Sequence, residues 1–359
     1  MTKKRVLTGY RPTGKLHIGH WFGNLQNMLQ MQHDFDAYYF IADYHALTSD
    51  WADPSGIATS TEEMVLDWCA AGLDPEIATI YRQSDVPEVA ELTLLFSMVL
   101  PMPWLERTPS YKEQRAQIST KDLGNVGFFL YPALQAADIS IVLADAVPVG
   151  EDQLPHLELT REIVRRFNNT YGDYLIEPQA IIAEQGARVP GTDGRKMSKS
   201  YGNSLYISDS EENIRAGVMS FLTDPARKLK TDPGNPDICP LHQVHKLIAP
   251  AGEIAEWDSC CRSAGCGCVA HKRKLADDLV SYLAPFRERR AELAARPGFA
   301  AEVLAAGAAR VRPVTTEVVA ACRELMGLDA RTVRTAGIER RDANALPEES
   351  HPSFLDAPE

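Results

Sequence analysis

The distribution of hydrophobic and polar positions divides the chain into two parts. In the first part, short apolar runs alternate with longer segments in which apolar residues recur every three to four positions. The short runs predict strands, and they are VLTG, AYYFIAD, ATIYRQS, ISIVLADAVPVG and QAIIAE. The longer segments predict amphipathic helices, and they are WFGNLQNMLQMQ, STEEMVLDWCAAG and LELTREIVRRFNNTYG. This alternation predicts an α/β fold with a parallel sheet covered by helices on both faces.

Strand patterns stop after about residue 205, and the remainder reads as almost wholly helical. We therefore predict an α/β domain at 1–200, an all-helical domain at 201–290 and C-terminal helices at 291–328 that pack back on the first domain. The segment 329–359 holds seven acidic residues against four arginines, with Phe354 as its single aromatic residue. Such a composition buries little apolar surface, so we predict a disordered tail.

Composition and charge narrow the class of protein. The 359 residues are 45% hydrophobic and 24% charged, close to the average for globular proteins. The formal net charge of −12 is opposite to that of proteins that coat nucleic acid non-specifically, so any polyanion must meet a local basic surface. The best candidate for such a basic surface lies between His271 and Arg296, where seven Lys or Arg residues occur in a segment with helical periodicity.

No apolar run has the ~18 residues of a membrane span, and the amino terminus lacks the apolar core of a signal peptide. These two features predict a cytoplasmic protein without membrane contact.

Four of the seven cysteines cluster between Cys260 and Cys268. In a reducing compartment such a cluster indicates a metal site or free thiols before it indicates disulfides. Residues 265–270 also spell G-x-G-x-x-A, but no strand precedes them, so a dinucleotide-binding turn is excluded.

A first phosphate-binding element is predicted after the first strand. Gly9 to Lys15 spells G-x-x-x-x-G-K, but the following Leu16 lacks the hydroxyl with which a P-loop holds Mg²⁺. The sequence His17-Ile18-Gly19-His20 then opens a helix. Two imidazoles three residues apart share one helix face, and with the free N–H groups of the helix terminus they would form a site for phosphate groups.

A second element, GTDGRKMSKSYGN at 191–203, carries Lys196 and Lys199 in a loop rich in Gly and Ser. Two ammonium groups on such a loop can stabilise negative charge that develops in a transition state of a polyphosphate. The HIGH and KMSKS sequences occur in this order on opposite sides of an α/β unit, which predicts that they serve one site.

Five segments together carry a resemblance to a known family: GYRPTGKLHIGHWFGNL, FIADYHALT, FFLYPALQAADI, VPVGEDQLPHLELTREIVRRFN and GRKMSKSYGN. From about Val6 to about Leu328 the sequence resembles the class I aminoacyl-tRNA synthetases, and among them the bacterial tryptophanyl-tRNA synthetases. The resemblance implies a Rossmann-like catalytic domain, a helical tRNA-binding domain and a homodimer. It also implies a tryptophan–tRNA ligase that uses ATP and Mg²⁺ to join L-tryptophan to tRNA(Trp).

The resemblance also implies the roles of individual residues. His17, His20, Lys196 and Lys199 would act in catalysis, the histidines on the ATP phosphates and the lysines on the leaving pyrophosphate. The implied ATP site consists of Arg11, Pro12, Thr13, Gly19, His20, Gly150, Glu151, Asp152, Val189, Lys196, Met197, Ser198, Lys199 and Ser200.

The amino-acid pocket follows in part from the chemistry of the ligand. Indole is large and flat, and its one polar atom is an N–H that only donates, so a selective site needs apolar walls and one buried acceptor. By resemblance, Asp138 is that acceptor. The other implied pocket residues are Tyr131, Gln135 and Gln153 for the amino and carboxylate groups, and His45, Leu7, Gly9, Val147 and Val149 for the walls.

Alternatives remain at two points. The sister family recognises tyrosine with side chains at the spacing that Tyr131, Gln135 and Asp138 also have, so a tyrosine–tRNA ligase is the first alternative. A non-charging nucleotidyltransferase and a regulatory paralogue are the others.

Some relatives hold an iron–sulfur cluster with four cysteines, and this sequence resembles their spacing, with His in place of the fourth Cys. The corresponding residues are Cys239, Cys261, Cys268 and His271. A metal site and a set of reduced thiols are both open at this point. For a metal, we expect an iron–sulfur cluster before zinc, and Cys266 or Cys260 could replace the histidine.

Overall fold

The computed structural model describes residues 3–107, 123–150, 153–182, 189–224, 227, 229 and 231–328. Its centre is a five-stranded parallel sheet with the order β3-β2-β1-β4-β5. This confirms the predicted α/β fold. The strands are β1 (Arg5–Tyr10), β2 (Asp36–Ile41), β3 (Thr79–Arg82), β4 (Ala146–Val149) and β5 (Gln179–Ile182).

Helices cover both faces of this sheet and make up the described carboxyl-terminal part. Within the described residues, none of them is both long and apolar enough to cross a bilayer. A π-helical turn at Trp21–Leu25 joins the first two helices. The helices are α1 (Ile18–His20), α2 (Gln26–Asp34), α3 (Asp43–Asp50), α4 (Ile57–Ala71), α5 (Glu88–Val99), α6 (Met102–Arg107), α7 (Val126–Ile141), α8 (Leu154–Tyr171), α9 (Glu211–Met219), α10 (Pro240–His245), α11 (Ala251–Arg262), α12 (Cys268–Ala294) and α13 (Phe299–Leu325).

The strands feed two hydrophobic cores because successive side chains of a strand point to opposite faces. Val6 and Tyr39 lie in one core, together with Leu279 of α12. Leu7 and Phe40 lie in the other core. The carboxyl-terminal helices therefore share a core with the sheet.

The edge strand β3 is covered by α13. A Cβ atom at Gly307 would overlap the carbonyl oxygen of Ile80, so only glycine permits this close approach. The residues of the predicted tail, 329–359, lie outside the described residues.

One predicted strand is shorter than its apolar run. Ile139 and Ile141 belong to α7, and strand β4 begins only at Ala146. The error has a physical cause: α7 is buried on all sides from Pro132 onward, so its sequence lacks the polar stripe that identifies a helix.

Candidate active site

The strand order reverses between β1 and β4, which places a crevice at the carboxyl ends of these two strands. β1 ends at Tyr10, and a turn with Gly14 in the left-handed region (φ +96°) leads to His17 and α1. The HIGH sequence therefore begins a helix at the place where an open α/β sheet binds ligands.

The two histidines of this turn form one unit. Their ring centroids lie 3.7 Å apart, and the backbone N–H of His17 donates to Nδ1 of His20 over 3.1 Å. Burial lowers the pKa of His17 to about 4, with a further contribution from the charge of Lys199. Burial and the neighbouring His17 lower the pKa of His20 to about 2. Both rings are neutral at pH 7, and because Nδ1 of His20 accepts, its ring proton sits on Nε2.

Lys199 lies directly on this turn. Its ammonium group donates to the carbonyl oxygens of Gly14 and Thr13 over 2.8 and 3.1 Å. Burial lowers the pKa of Lys199 to about 8, while the charge of Asp67 opposes this shift. The KMSKS and HIGH sequences thus meet in space.

The backbone on both sides of these motifs is joined as well. The N–H of Ile18 donates to the carbonyl of Leu205, and the N–H of Ile207 donates to Leu16. A Cβ at Gly19 would lie 2.9 Å from the ring of His17 and 3.7 Å from Cβ of Met197. The glycine of HIGH therefore leaves room for the histidine ring.

Asn203 organises the KMSKS loop, a role that the sequence reasoning missed. Its side chain is buried, accepts the N–H of Ser198 over 2.8 Å and donates to Asp193 over 2.7 Å. The N–H of Met197 donates to the carbonyl of Val189 over 3.0 Å, while Lys196 is exposed. The only sequence signal for the role of Asn203 is that it is a polar residue shortly after the two lysines.

The predicted amino-acid pocket contains a buried carboxylate with two fixed donors. Asp138 is 1% exposed, and its carboxylate accepts from Nε2 of His45 over 2.9 Å. Nε2 of Gln83 donates to both carboxylate oxygens over 2.8 and 2.9 Å. Burial raises the pKa of Asp138, and these hydrogen bonds oppose that shift by favouring the ionised form.

Gln83 is the second residue that the sequence reasoning missed. Its Oε1 accepts the backbone N–H groups of Tyr44 and His45 over 3.1 and 3.4 Å, which fixes the orientation of its amide. Gln83 directly follows β3, at the same edge of the sheet as the HIGH turn. A polar residue after a parallel strand is the signal that could have found it.

The remaining pocket predictions divide into two groups. Tyr131, Gln135 and Asp138 recur at helical spacing on α7, so they share one face. The Tyr131 hydroxyl lies 3.4 Å from Nε2 of His156. Leu7, Val147 and Val149 are buried members of one hydrophobic core, and a Cβ at Gly9 would overlap the ring of Phe40. These four positions are explained by packing alone, and a contact with a ligand stays a prediction.

At the phosphate end, Arg11 bonds the hydroxyl of Ser49 and lies 3.7 Å from the carboxylate of Asp50. Pro12 is buried beside it, and Gly150 is exposed after β4. Gln153 is exposed before α8, and Ser200 lies in the 3₁₀ turn Lys199–Tyr201. Two of the predicted ATP ligands, Glu151 and Asp152, lie outside the described residues.

The predicted metal ligands come from three different elements. Cys239 precedes α10, Cys261 is the last residue but one of α11, and Cys268 begins α12. Burial raises the pKa of both Cys239 and Cys261, and the nearby Cys268 adds to this effect. Arg227 lies against this group, with Nη1 3.7 Å from Sγ of Cys268.

His271 does not join these thiols. Its Nε2 lies 2.9 Å from Nδ1 of His245, and its ring stacks on Trp257 at 4.4 Å. Burial lowers its pKa to about 3. The geometry thus gives no support to the predicted fourth ligand. The ligand atoms of Cys239, Cys261, Cys268 and His271 do not all lie within 4.8 Å of one another.

Among the described residues, a different set brings three possible ligand atoms together: those of His245, Glu253 and Asp278 lie within 4.8 Å of one another, whereas those of the predicted set do not. The ammonium group of Lys274 lies 2.5 Å from Glu253 and 2.6 Å from Asp278. Lys274 therefore bridges both carboxylates and offsets part of their negative charge, and the set joins α10, α11 and α12 as an ion-pair network.

Most of the predicted basic surface is engaged within the protein. Lys272 donates to the carbonyl of Met219, Arg287 pairs with Glu211 and Arg290 pairs with Asp67. Of the seven basic residues, Arg273 and Arg289 are exposed on α12 without a hydrogen bond or ion pair in the described part of the chain.

The fold and the paired motifs match one class of enzyme. The family described as tRNA synthetases class I (W and Y) matches residues 2–284. The chain belongs to this family.

Several similar proteins within the family are enzymes named for tryptophan. Tryptophan–tRNA ligase of Thermotoga maritima is 44% identical over 326 residues, which cover 90% of this chain and 99% of the relative. The corresponding enzyme of Deinococcus radiodurans is 40% identical over 90% of this chain and 98% of the relative. The crystal structure of tryptophanyl-tRNA synthetase from Campylobacter jejuni with ADP and tryptophan matches with a TM-score of 0.83 and 35% identity, over 90% of this chain and 100% of that chain.

Proposed function

We propose that the chain activates L-tryptophan with ATP and transfers it to the 3′ end of tRNA(Trp), which is the reaction of a tryptophan–tRNA ligase. One observation carries the proposal: Lys199 converges with His17 and His20 on a single turn at the edge of the sheet that also holds the buried Asp138. The relatives named above support the choice of tryptophan.

In the first step, a carboxylate oxygen of tryptophan attacks the α-phosphorus of ATP. The bond from this phosphorus to the bridging oxygen breaks, and pyrophosphate leaves with the electron pair. His17 and His20 are neutral, so they donate N–H groups to phosphate oxygens rather than supply positive charge. Lys196 and Lys199 supply the charge that stabilises the leaving group, and Mg²⁺, when bound, shares this load.

The rest of the nucleotide site follows the predicted assignment. Arg11, Pro12, Thr13 and Gly19 surround the turn, while Gly150 with Glu151 and Asp152 would meet the ribose hydroxyls. The exposed Gly150 at the end of β4 supports this assignment.

In the second step, a hydroxyl of the terminal ribose attacks the carbonyl carbon of the adenylate, and AMP leaves. The tRNA would lie along the helices at 201–290, and the exposed Arg273 and Arg289 are the groups for its phosphates. Salt would weaken that binding.

We also propose a cytoplasmic homodimer. Leu94 and Met98 are 56% and 67% exposed on one face of α5, and Met102 is 64% exposed nearby in sequence. Exposed apolar side chains at this spacing are typical of an interface. All seven cysteines are free, as expected in a reducing compartment.

An iron–sulfur cluster remains a proposal for this chain. Cys239, Cys261 and Cys268 would supply three thiolates, and Cys266 or Cys260 the fourth, since His271 is engaged with His245. Iron and sulfide analysis of protein purified without oxygen tests it, and the absence of both elements would leave reduced thiols.

The decisive experiment is exchange of labelled pyrophosphate into ATP, with each amino acid separately and without tRNA. Exchange with tryptophan alone supports the proposal. Exchange with tyrosine would instead favour the alternative for which Tyr131, Gln135 and Asp138 have the right spacing. Exchange with neither, from folded protein with Mg²⁺, would leave the nucleotidyltransferase or the regulatory paralogue.

A further inference from the structure

One face of α12 lies against the helical turn that follows the HIGH histidines. Trp21 directly follows His20, and its Nε1–H donates to the hydroxyl of Tyr282 over 3.1 Å. The ring of Trp21 also meets Phe286 edge-on at 5.7 Å, and Phe22 stacks on Tyr282 at 5.9 Å. The long helix α12 therefore contacts the predicted phosphate-binding element directly.

The same face of α12 reaches the HIGH turn by a second route. Arg290 lies two turns beyond Tyr282, and its Nε donates to Oδ1 of the fully buried Asp67 over 2.6 Å. Oδ2 of Asp67 accepts the backbone N–H of Leu16, the residue before His17, over 3.4 Å. Arg290 also pairs with Glu63, one turn earlier on α4. One buried carboxylate thus connects α12 to the residue that precedes the first histidine.

The two routes flank the histidines. Leu16 is held on one side of His17 and Trp21 on the other side of His20, where the π-helical turn Trp21–Leu25 begins. Such turns are rare and are enriched at functional sites. A buried ion pair fixes geometry strictly, because separating it would leave an uncompensated charge.

We propose that Tyr282 and Arg290 are positioning residues for adenylate formation, which hold the turn from Leu16 to Trp21 where His17 and His20 meet the ATP phosphates. This inference rests on the proposed function of the two histidines. A displacement of about 1 Å at a reacting centre can cost about 100-fold in rate, so the effect should appear in kcat. The tryptophan pocket contains neither residue, so tryptophan binding should not change.

The test uses full-length protein and tryptophan-dependent pyrophosphate exchange. Arg290→Met removes the ion pair but leaves the charged carboxylate of Asp67 buried without its partner, which can prevent folding. The double variant Asp67→Asn/Arg290→Met also removes that charge and is therefore expected to fold. Arg290→Lys retains the positive charge and tests whether the charge restores the rate. Tyr282→Phe removes only the hydroxyl that is bonded to Trp21. Glu288→Gln changes an exposed residue of α12 and serves as the control.

We expect kcat to fall about 10- to 100-fold in Arg290→Met and in the double variant, and by a smaller factor in Tyr282→Phe. Arg290→Lys should recover most of the rate, and the control should match the wild type. The Kd for tryptophan, measured by equilibrium dialysis, should stay within twofold in every folded variant.

Two results would overturn the positioning role while the wild type remains active. One is a wild-type kcat in the folded double variant and in Tyr282→Phe. The other is a parallel loss of kcat and tryptophan binding, which would show a general structural role. A wild type that is inactive in exchange would instead overturn the proposed function, and this inference with it.

Discussion

The ammonium group of Lys199 lies 2.8 Å from the carbonyl oxygen of Gly14, across 185 residues of sequence. The contact joins the second lysine of KMSKS to the turn that leads into His17 and His20. Because this lysine is held by neutral carbonyl groups, its charge is available to an incoming polyphosphate.

Lys199→Ala should lower kcat of pyrophosphate exchange by two orders of magnitude or more and leave the Kd for tryptophan unchanged, since its charge acts on the leaving group. The pKa of Lys199 is lowered to about 8, so the wild-type rate should decline as the pH rises through 8 and the ammonium group loses its proton. Lys199→Arg keeps the charge at every pH and serves as the control, because it should lack this decline. Equal losses in kcat and tryptophan binding would contradict the assigned role.

Asp138→Ala should raise KM for tryptophan steeply, because the indole N–H loses its buried acceptor. Wild-type enzyme should reject a tryptophan analogue with sulfur in place of the ring N–H, and the variant should discriminate far less. The measurement is pyrophosphate exchange with both amino acids. An unchanged KM would remove Asp138 from indole recognition.

Gln83→Met should also raise KM for tryptophan, by about tenfold, although Gln83 itself need not touch the ligand. The substitution removes the amide donor, which leaves His45 as the donor to Asp138 among the described residues and frees the carboxylate to rotate. Gln83→Glu is the sharper variant: two carboxylates in one buried site would raise the pKa of one of them, so KM should rise more as the pH increases. A pH-independent KM in Gln83→Glu would argue against this contact.

Gly307→Ala should destabilise the fold by about 3 kcal/mol or more, because the new methyl group forces α13 away from Ile80. Gly252→Ala is the matched control, since a Cβ there meets no atom within 4 Å and should be neutral or slightly stabilising. Urea unfolding of both variants measures the difference. Similar free energies of unfolding would show that α13 does not press on β3 as described.

Much of the fold and of the candidate site could be predicted from the sequence. The HIGH and KMSKS motifs, the five strands and the helical carboxyl-terminal part follow from local patterns, and the tertiary structure confirms the strands and helices. The boundary between α7 and β4 could not be read, because a helix buried on every side has no polar stripe to set its period. Gln83 was missed because its partner Asp138 lies 55 residues away along the chain. Asn203 was missed because its bonds to Ser198 and Asp193 form only when the loop between them folds back on itself.

The sequence by itself determined the residue types of the site and their order along the chain. HIGH and KMSKS are short motifs, and Asp138 is a single carboxylate, whose chemical groups suggest their roles without knowledge of the fold. Only the tertiary structure decided that Lys199 rests on Gly14, that both histidines are neutral, and that His271 stacks on Trp257 beside His245. The physical reason is that pKa values, hydrogen-bond partners and burial depend on what surrounds a group in space. Neighbours in space come from all parts of the chain, whereas a motif records only neighbours along it.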